Sequence, residues 1–104
     1  MIIVNTETIS GKEIAEALGM VRGSTVRARN IGRDIFAGLK NLVGGEISEY
    51  TKLLADSREE ALSRMIVDAK KLNADAVVNV RFTTSTVMQG CSEILAYGTA
   101  VKLR

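Results

Sequence analysis

The chain has no histidine, no tryptophan, no proline and a single cysteine in 104 residues. Without histidine, no Ser–His or Cys–His pair can activate a nucleophile, and the imidazole ligands that suit zinc and copper are missing. One cysteine, Cys91, excludes an intramolecular disulfide and fits a reducing compartment. The lack of proline argues against a hinge between domains. Aromatic residues are limited to Phe36, Tyr50, Phe82 and Tyr97, so the core must be aliphatic. Neither sign of charge dominates: 14 basic against 12 acidic residues leave a net charge of +2, too little to steer the whole molecule to a polyanion. No apolar run approaches the ~20 residues that cross a bilayer, and Met1-Ile2-Ile3-Val4-Asn5 turns polar too soon for a signal peptide. These absences lead us to expect a soluble cytoplasmic protein with no cofactor, no membrane association and no nucleic-acid partner.

What is present is the composition of a folded globule, 46% hydrophobic and 25% charged. The length fits one domain over residues 1–104. Met1 to Val4 is a short strand candidate. Lys12 to Leu18 is ambiguous: Ser10-Gly11-Lys12-Glu13 matches a capping box and Ile14, Ala17 and Leu18 share a helical face, so local propensity favours helix. Val21 to Arg29 alternates as a strand. Asn30 to Val43 has helical spacing, with Asn30 as N-cap, an apolar stripe through Ile31, Ile35, Leu39 and Leu42, and Gly44-Gly45 to end it.

Ser48 to Leu72 carries the strongest helical pattern. Leu54, Ala61, Leu62, Met65, Ile66, Ala69 and Leu72 line one face, Glu60 can pair with Arg64, and Asn73 suits a left-handed C-terminal position. A second capping-box match at Ser57-Arg58-Glu59-Glu60 leaves open whether this is one helix or two. Ala76 to Val87 alternates with Ala76, Val78, Val80 and Phe82 on one face. A loop at Met88–Ser92 returns the chain through Glu93 to Leu103, where Leu95, Tyr97, Thr99, Val101 and Leu103 oppose Ile94, Ala96, Gly98 and Ala100. The small size of the second set predicts a closely approaching neighbour. The expected fold is α+β, an antiparallel sheet packed by one long and one shorter helix.

Asn30-Ile31-Gly32-Arg33-Asp34-Ile35-Phe36-Ala37-Gly38 resembles the N-x-x-R-D-x-x-A-G segment of the YbjQ-like family of small bacterial proteins. Gly44-Gly45 and Tyr50 follow at the family's spacing, Asn73 to Val78 resembles its helix-to-strand junction, and Tyr97 to Val101 its last strand. The resemblance covers nearly the whole chain in order. It implies a dodecin-like subunit of a ring, a pentamer, and a strand at Lys12 to Leu18, the reading we adopt over propensity. The family carries a heavy-metal-binding label but brings no established activity and no catalytic residues.

Candidate chemistry is sparse. A soft-metal site wants three or four converging thiolates or imidazoles, which one chain cannot supply. A ring could converge copies of Cys91, with Met88 nearby, although a loop cysteine of no special role is the simpler reading. General acid–base work could fall to Glu49, Asp34 or Asp75, yet nothing in their spacing pairs them, and Asp75 is expected to tie down a turn. Arg22, Arg27, Arg29 and Arg33 form the one basic cluster. Arg29, Asn30, Gly32 and Arg33, at the expected start of the shorter helix, are the candidate ligand-binding residues, because free amides and guanidinium groups there suit an oxyanion. The alternative is that Arg33 and Asp34 bridge subunits or face water. The expected function is therefore a ring-forming binding or scaffold protein for a small anionic ligand, its first partner a copy of itself. An enzyme acting on an anionic small molecule and a heavy-metal-binding protein are the alternatives.

Overall fold

The computed structural model describes residues 1–27, 48–88 and 91–104. Its elements, in chain order, are β1 (Ile2–Ile3), β2 (Ile14–Arg27), α1 (Ser48–Lys71), β3 (Ala76–Met88) and β4 (Cys91–Leu103). The strands form one sheet in the order β1-β3-β4-β2. β2·β4 and β3·β4 are antiparallel, whereas β1 runs parallel to β3, so the sheet is mixed rather than purely antiparallel. The expected shorter helix, Asn30 to Val43 with its Gly44-Gly45 stop, lies outside the described residues.

The ambiguous segment before Met20 is strand: β2 begins at Ile14. Its propensity for helix loses to pairing along nearly the whole of β4, from Ile14 opposite Leu103 to Arg27 opposite Ser92. A register shift falls between Ala17 and Gly19, and Gly19 sits at φ 128°, backbone that an L side chain rarely adopts.

α1 is one unbroken helix of 24 residues, about 36 Å long. The capping-box reading at Ser57 fails, because that side chain is buried inside the helix and its Oγ donates to the Leu53 carbonyl at 2.9 Å. Its end is as expected. Asn73 takes φ 58°, its N–H donates to the Lys70 carbonyl and that of Ala74 to the Ala69 carbonyl, the paired bonds of a left-handed C-terminal cap.

The helix lies on one face of the sheet through a row of small contacts. Ser57, Ala61, Met65 and Ala69, spaced by four, are its buried ridge. Opposite them lie Val21, Gly23 and Thr25 of β2 and Ile94, Ala96 and Ala100 of β4, all buried. A Cβ on Gly23 would overlap the backbone of Ala61, Arg64 and Met65. The expectation that the small residues of β4 mark a close neighbour holds: Ala96 and Ala100 share a core cluster with Ala61, Met65 and Ala69 of α1, and a Cβ on Gly98 would press on Val77, Val78 and Val80 of β3.

β3 departs from simple alternation. Asn79 takes φ 55° and the register slips between Val78 and Arg81, a bulge facing Gly98. Val80 therefore joins Val77 in the core beneath α1, while Ala76 and Val78 pack on the other face with Val101. Our single face of Ala76, Val78, Val80 and Phe82 is thus split at the bulge. The second cluster is completed by Ile2, Val4, Ile9, Ile14 and Leu103, so the N-terminal segment covers that end of the outer face. At the other end the strands run on to Met88 opposite Cys91, leaving a connection of Gln89-Gly90 rather than the five-residue loop expected.

Candidate functional site

The open part of the outer face begins past the N-terminal segment. Because side chains alternate along a strand, the residues next to Val21, Gly23 and Thr25 point away from α1. The ladder places Arg22 of β2 opposite Tyr97 of β4, and Tyr97 opposite Arg81 of β3. Arg22, Tyr97 and Arg81 thus form one row across three strands, with neighbouring Cβ atoms about 5 Å apart. The next row is Ser24, Leu95 and Thr83, and the one beyond it Val26, Glu93 and Ser85. Both arginines are exposed and Tyr97 is half-buried between them.

Charge on this row is unbalanced. Three described basic side chains meet acids: Arg64 and Glu60 at 2.6 Å, Lys102 and Asp75 at 3.6 Å, Arg104 and Glu13 at 3.3 Å. Neither Arg22 nor Arg81 has an ion-pair partner among the described residues. Two guanidinium groups flanking a phenol can grip a carboxylate or phosphate through charge-assisted hydrogen bonds, with the Tyr97 ring as a wall. Glu93, two rows away, bounds the row with the opposite sign.

β2 is held in place by the helix from the side as well as from above. The Arg22 N–H donates to Asp68 Oδ2 at 3.1 Å, Arg64 donates to the Ser24 carbonyl, and Thr25 Oγ1 donates to the Ser57 carbonyl at 3.0 Å. Arg22 is therefore presented from a backbone fixed by α1.

The sequence-derived ligand residues, Arg29, Asn30, Gly32 and Arg33, lie outside the described residues, as does Asp34. Of the basic cluster, Arg22 is on the open face. Tyr97 and Arg81 were not among our candidates, since they join Arg22 only through the register, and the five-residue loop we expected would have set Arg81 against a different residue of β4. Asp75 is a structural carboxylate. It accepts the Leu103 N–H at 2.8 Å and lies beside Lys102, and these contacts, the Leu103 bond foremost, hold its acid below the usual carboxylate range.

One chain by itself lacks the ligand set of a soft-metal site. Among the described residues no three His, Cys, Asp or Glu side chains come together, and the sequence offers one cysteine and no histidine. No described helix is long and apolar enough to cross a membrane.

The fold, a long helix across a four-stranded mixed sheet, is similar to that of a solved protein. That crystal structure, of a protein of unknown function from Pediococcus pentosaceus assigned to the DUF74 family, superposes with a TM-score of 0.65 over 100% of this chain and 98% of its own, at 17% identity. The sequence places the chain more closely. It is 66% identical over 104 residues to a UPF0145 protein of Archaeoglobus fulgidus, covering 100% of this chain and 96% of that one. A UPF0145 protein of Methanosarcina acetivorans is 61% identical over 103 residues, covering 99% and 97%. The YbjQ family model, described as "Putative heavy-metal-binding", matches residues 1–104, and the chain belongs to that family. The family is uncharacterised, so its label and the geometry above must be weighed separately.

Proposed function

We propose that this protein is a cytoplasmic, ring-forming binding protein, a pentamer, that holds a small anionic ligand. The observation that carries the reading is the Arg22–Tyr97–Arg81 row, two guanidinium groups astride a tyrosine on a sheet face that no other described element covers there, without acid partners among the described residues. Arg29, Asn30, Gly32 and Arg33, which follow β2 in the chain, are proposed as further ligand-binding residues, two of them guanidinium donors. The ring reading draws on the dodecin-like resemblance and on the extended shape of the chain. Its Cα radius of gyration is 17.0 Å, against about 13 Å for a compact domain of this length.

The test begins with native mass spectrometry of protein purified from its own host, which reports subunit number and any retained ligand together. Titration with inorganic phosphate and with a small carboxylate then compares wild type with Arg81→Ala. Loss of a charge-assisted contact of roughly 1.5–3 kcal/mol predicts binding weakened about ten-fold or more, with assembly mass unchanged. Equal affinity in the variant would remove this row from the site.

The heavy-metal reading has its own test, because each chain has one thiol, Cys91, and no imidazole. Zinc and copper(I) are expected not to bind tightly. Submicromolar, stoichiometric binding that disappears in Cys91→Ser would overturn this and point to thiolates converging between subunits. The enzyme reading is the weakest of the three: Asp75 is committed to Leu103 and Lys102, and no second carboxylate is paired with it among the described residues.

A further inference from the structure

We propose that the outer face selects an elongated zwitterion, a small molecule with an oxyanion at one end and an amine at the other. The inference rests on the anion-binding reading above and adds a second, opposite contact to it. The sheet is regular where the contact would lie. β3 pairs with β4 without a shift from Arg81 opposite Tyr97 to Thr86 opposite Ser92, and β2 pairs with β4 likewise from Gly19 opposite Ala100 to Arg27 opposite Ser92. With no bulge in that stretch, the rows of Tyr97, Leu95 and Glu93 all present their side chains on the face away from α1.

Charge along these rows changes sign. Arg22 and Arg81 flank Tyr97 in the first, and Glu93 stands between Val26 and Ser85 in the third. None of these three charged side chains has an ion-pair partner among the described residues. The arginines are exposed and Glu93 is half-buried. Four residues of strand separate Tyr97 from Glu93, about 13 Å, a gap that the long arginine side chains shorten by leaning along the strand. The middle row fills the gap with Leu95, half-buried between the hydroxyl side chains of Ser24 and Thr83.

One occupant satisfies the rows in order. Its oxyanion takes charge-assisted hydrogen bonds from the guanidinium groups, its apolar middle lies over Leu95, and its ammonium group meets the Glu93 carboxylate. A molecule anionic at both ends would place like charge against Glu93, and a wholly apolar one would desolvate three charges without pairing any. The spacing is also held from behind. The Arg22 N–H is bonded to Asp68 and the Ser24 carbonyl to Arg64, so α1 fixes the strand that carries one side of the rows.

The experiment is titration of the full-length protein at low ionic strength with ω-amino acids of graded chain length, the matching unbranched monocarboxylic acids and the matching dicarboxylic acids. At the best length the amino acid should bind about five-fold or more tightly than the monocarboxylic acid, the effect of one partly exposed ion pair. The dicarboxylic acid should bind more weakly than either. Glu93→Gln should erase both differences and leave affinity for the monocarboxylic acid little changed, whereas Arg81→Ala should weaken all three. No amine advantage at any length, or one that survives in Glu93→Gln, would overturn the zwitterion, and sensitivity to Arg81→Ala would still uphold the anion reading. If none of the acids binds, both readings fall. Light scattering closes the remaining route: a Glu93→Gln protein of reduced mass with an unaltered amine preference would overturn the proposal and make Glu93 a contact between copies.

Discussion

The two faces of the central strand β4 are built to different rules. Toward α1 it presents Ile94, Ala96, Gly98 and Ala100, three of them small: Ala96 and Ala100 pack in the core with α1, and Gly98 lies against Val77, Val78 and Val80 of β3. Away from α1 it presents Leu95, Tyr97 and Thr99, larger side chains that are only half-buried because the N-terminal segment covers one end of that face and stops. Size is restricted where packing has no slack, and chemistry is free to vary where it has. The inner face carries the core packed beneath α1, and the outer face leaves larger side chains partly open to solvent.

Adjacent residues of β2 offer the sharpest way to break this comparison. Gly23→Ala places a methyl group into the backbone of Ala61, Arg64 and Met65, atoms that cannot rotate aside. Overpacking of a filled core costs roughly 1–3 kcal/mol, and with backbone as the obstacle we expect about 3 kcal/mol. Urea denaturation at fixed protein concentration measures it. Arg22→Ala, one residue away on the other face, keeps the backbone bond to Asp68 and removes only an exposed side chain. Its expected change is within about 0.5 kcal/mol. Similar losses for the two variants would mean that the faces are not distinct.

Much of the inner face was legible in the sequence, and the reason is periodicity. The four-residue spacing of Ala61, Met65 and Ala69 and the small set on β4 both follow from where a side chain points, so they survive errors in pairing. The outer row was not legible, since it depends on register, and register here is set by irregular positions. The bulge at Asn79 and the slip between Thr86 and Met88 each move the β3·β4 alignment. No alternation pattern announces either one, although an asparagine inside a β-branched run is a candidate for left-handed backbone. Ser57 misled for a related reason: a serine before two glutamates marks a helix start only when its hydroxyl turns to the N–H groups ahead. Here it turns back to Leu53. Lys12 to Leu18 was read as strand only through the family resemblance, because its own residues favour helix and the pairing with β4 that overrides them is remote in sequence.

The smallest expected effect concerns the seam where β3 begins and β4 ends, and it is one of slope with pH. Asp75 ties the seam twice, its N–H to the Val101 carbonyl at 2.9 Å and its carboxylate to the Leu103 N–H at 2.8 Å, with Lys102 alongside. The Leu103 bond and then Lys102 favour the ionised form, so the folded-state acid is stronger than the unfolded one. A depressed carboxylate stabilises the fold fully above the unfolded value of about 3.9. That contribution fades as the pH drops below this value and is gone once the pH is below the folded pKa. Asp75→Asn keeps the shape and one acceptor but cannot ionise. Stability of wild type should therefore exceed that of Asp75→Asn at pH 7, with the gap shrinking on acidification through and below pH ~4. The site is open to solvent and partly screened by salt, so the gap should also narrow as ionic strength rises. A gap that stays constant from neutral pH to pH ~3 would show that the carboxylate's charge plays no part in holding the end of β4.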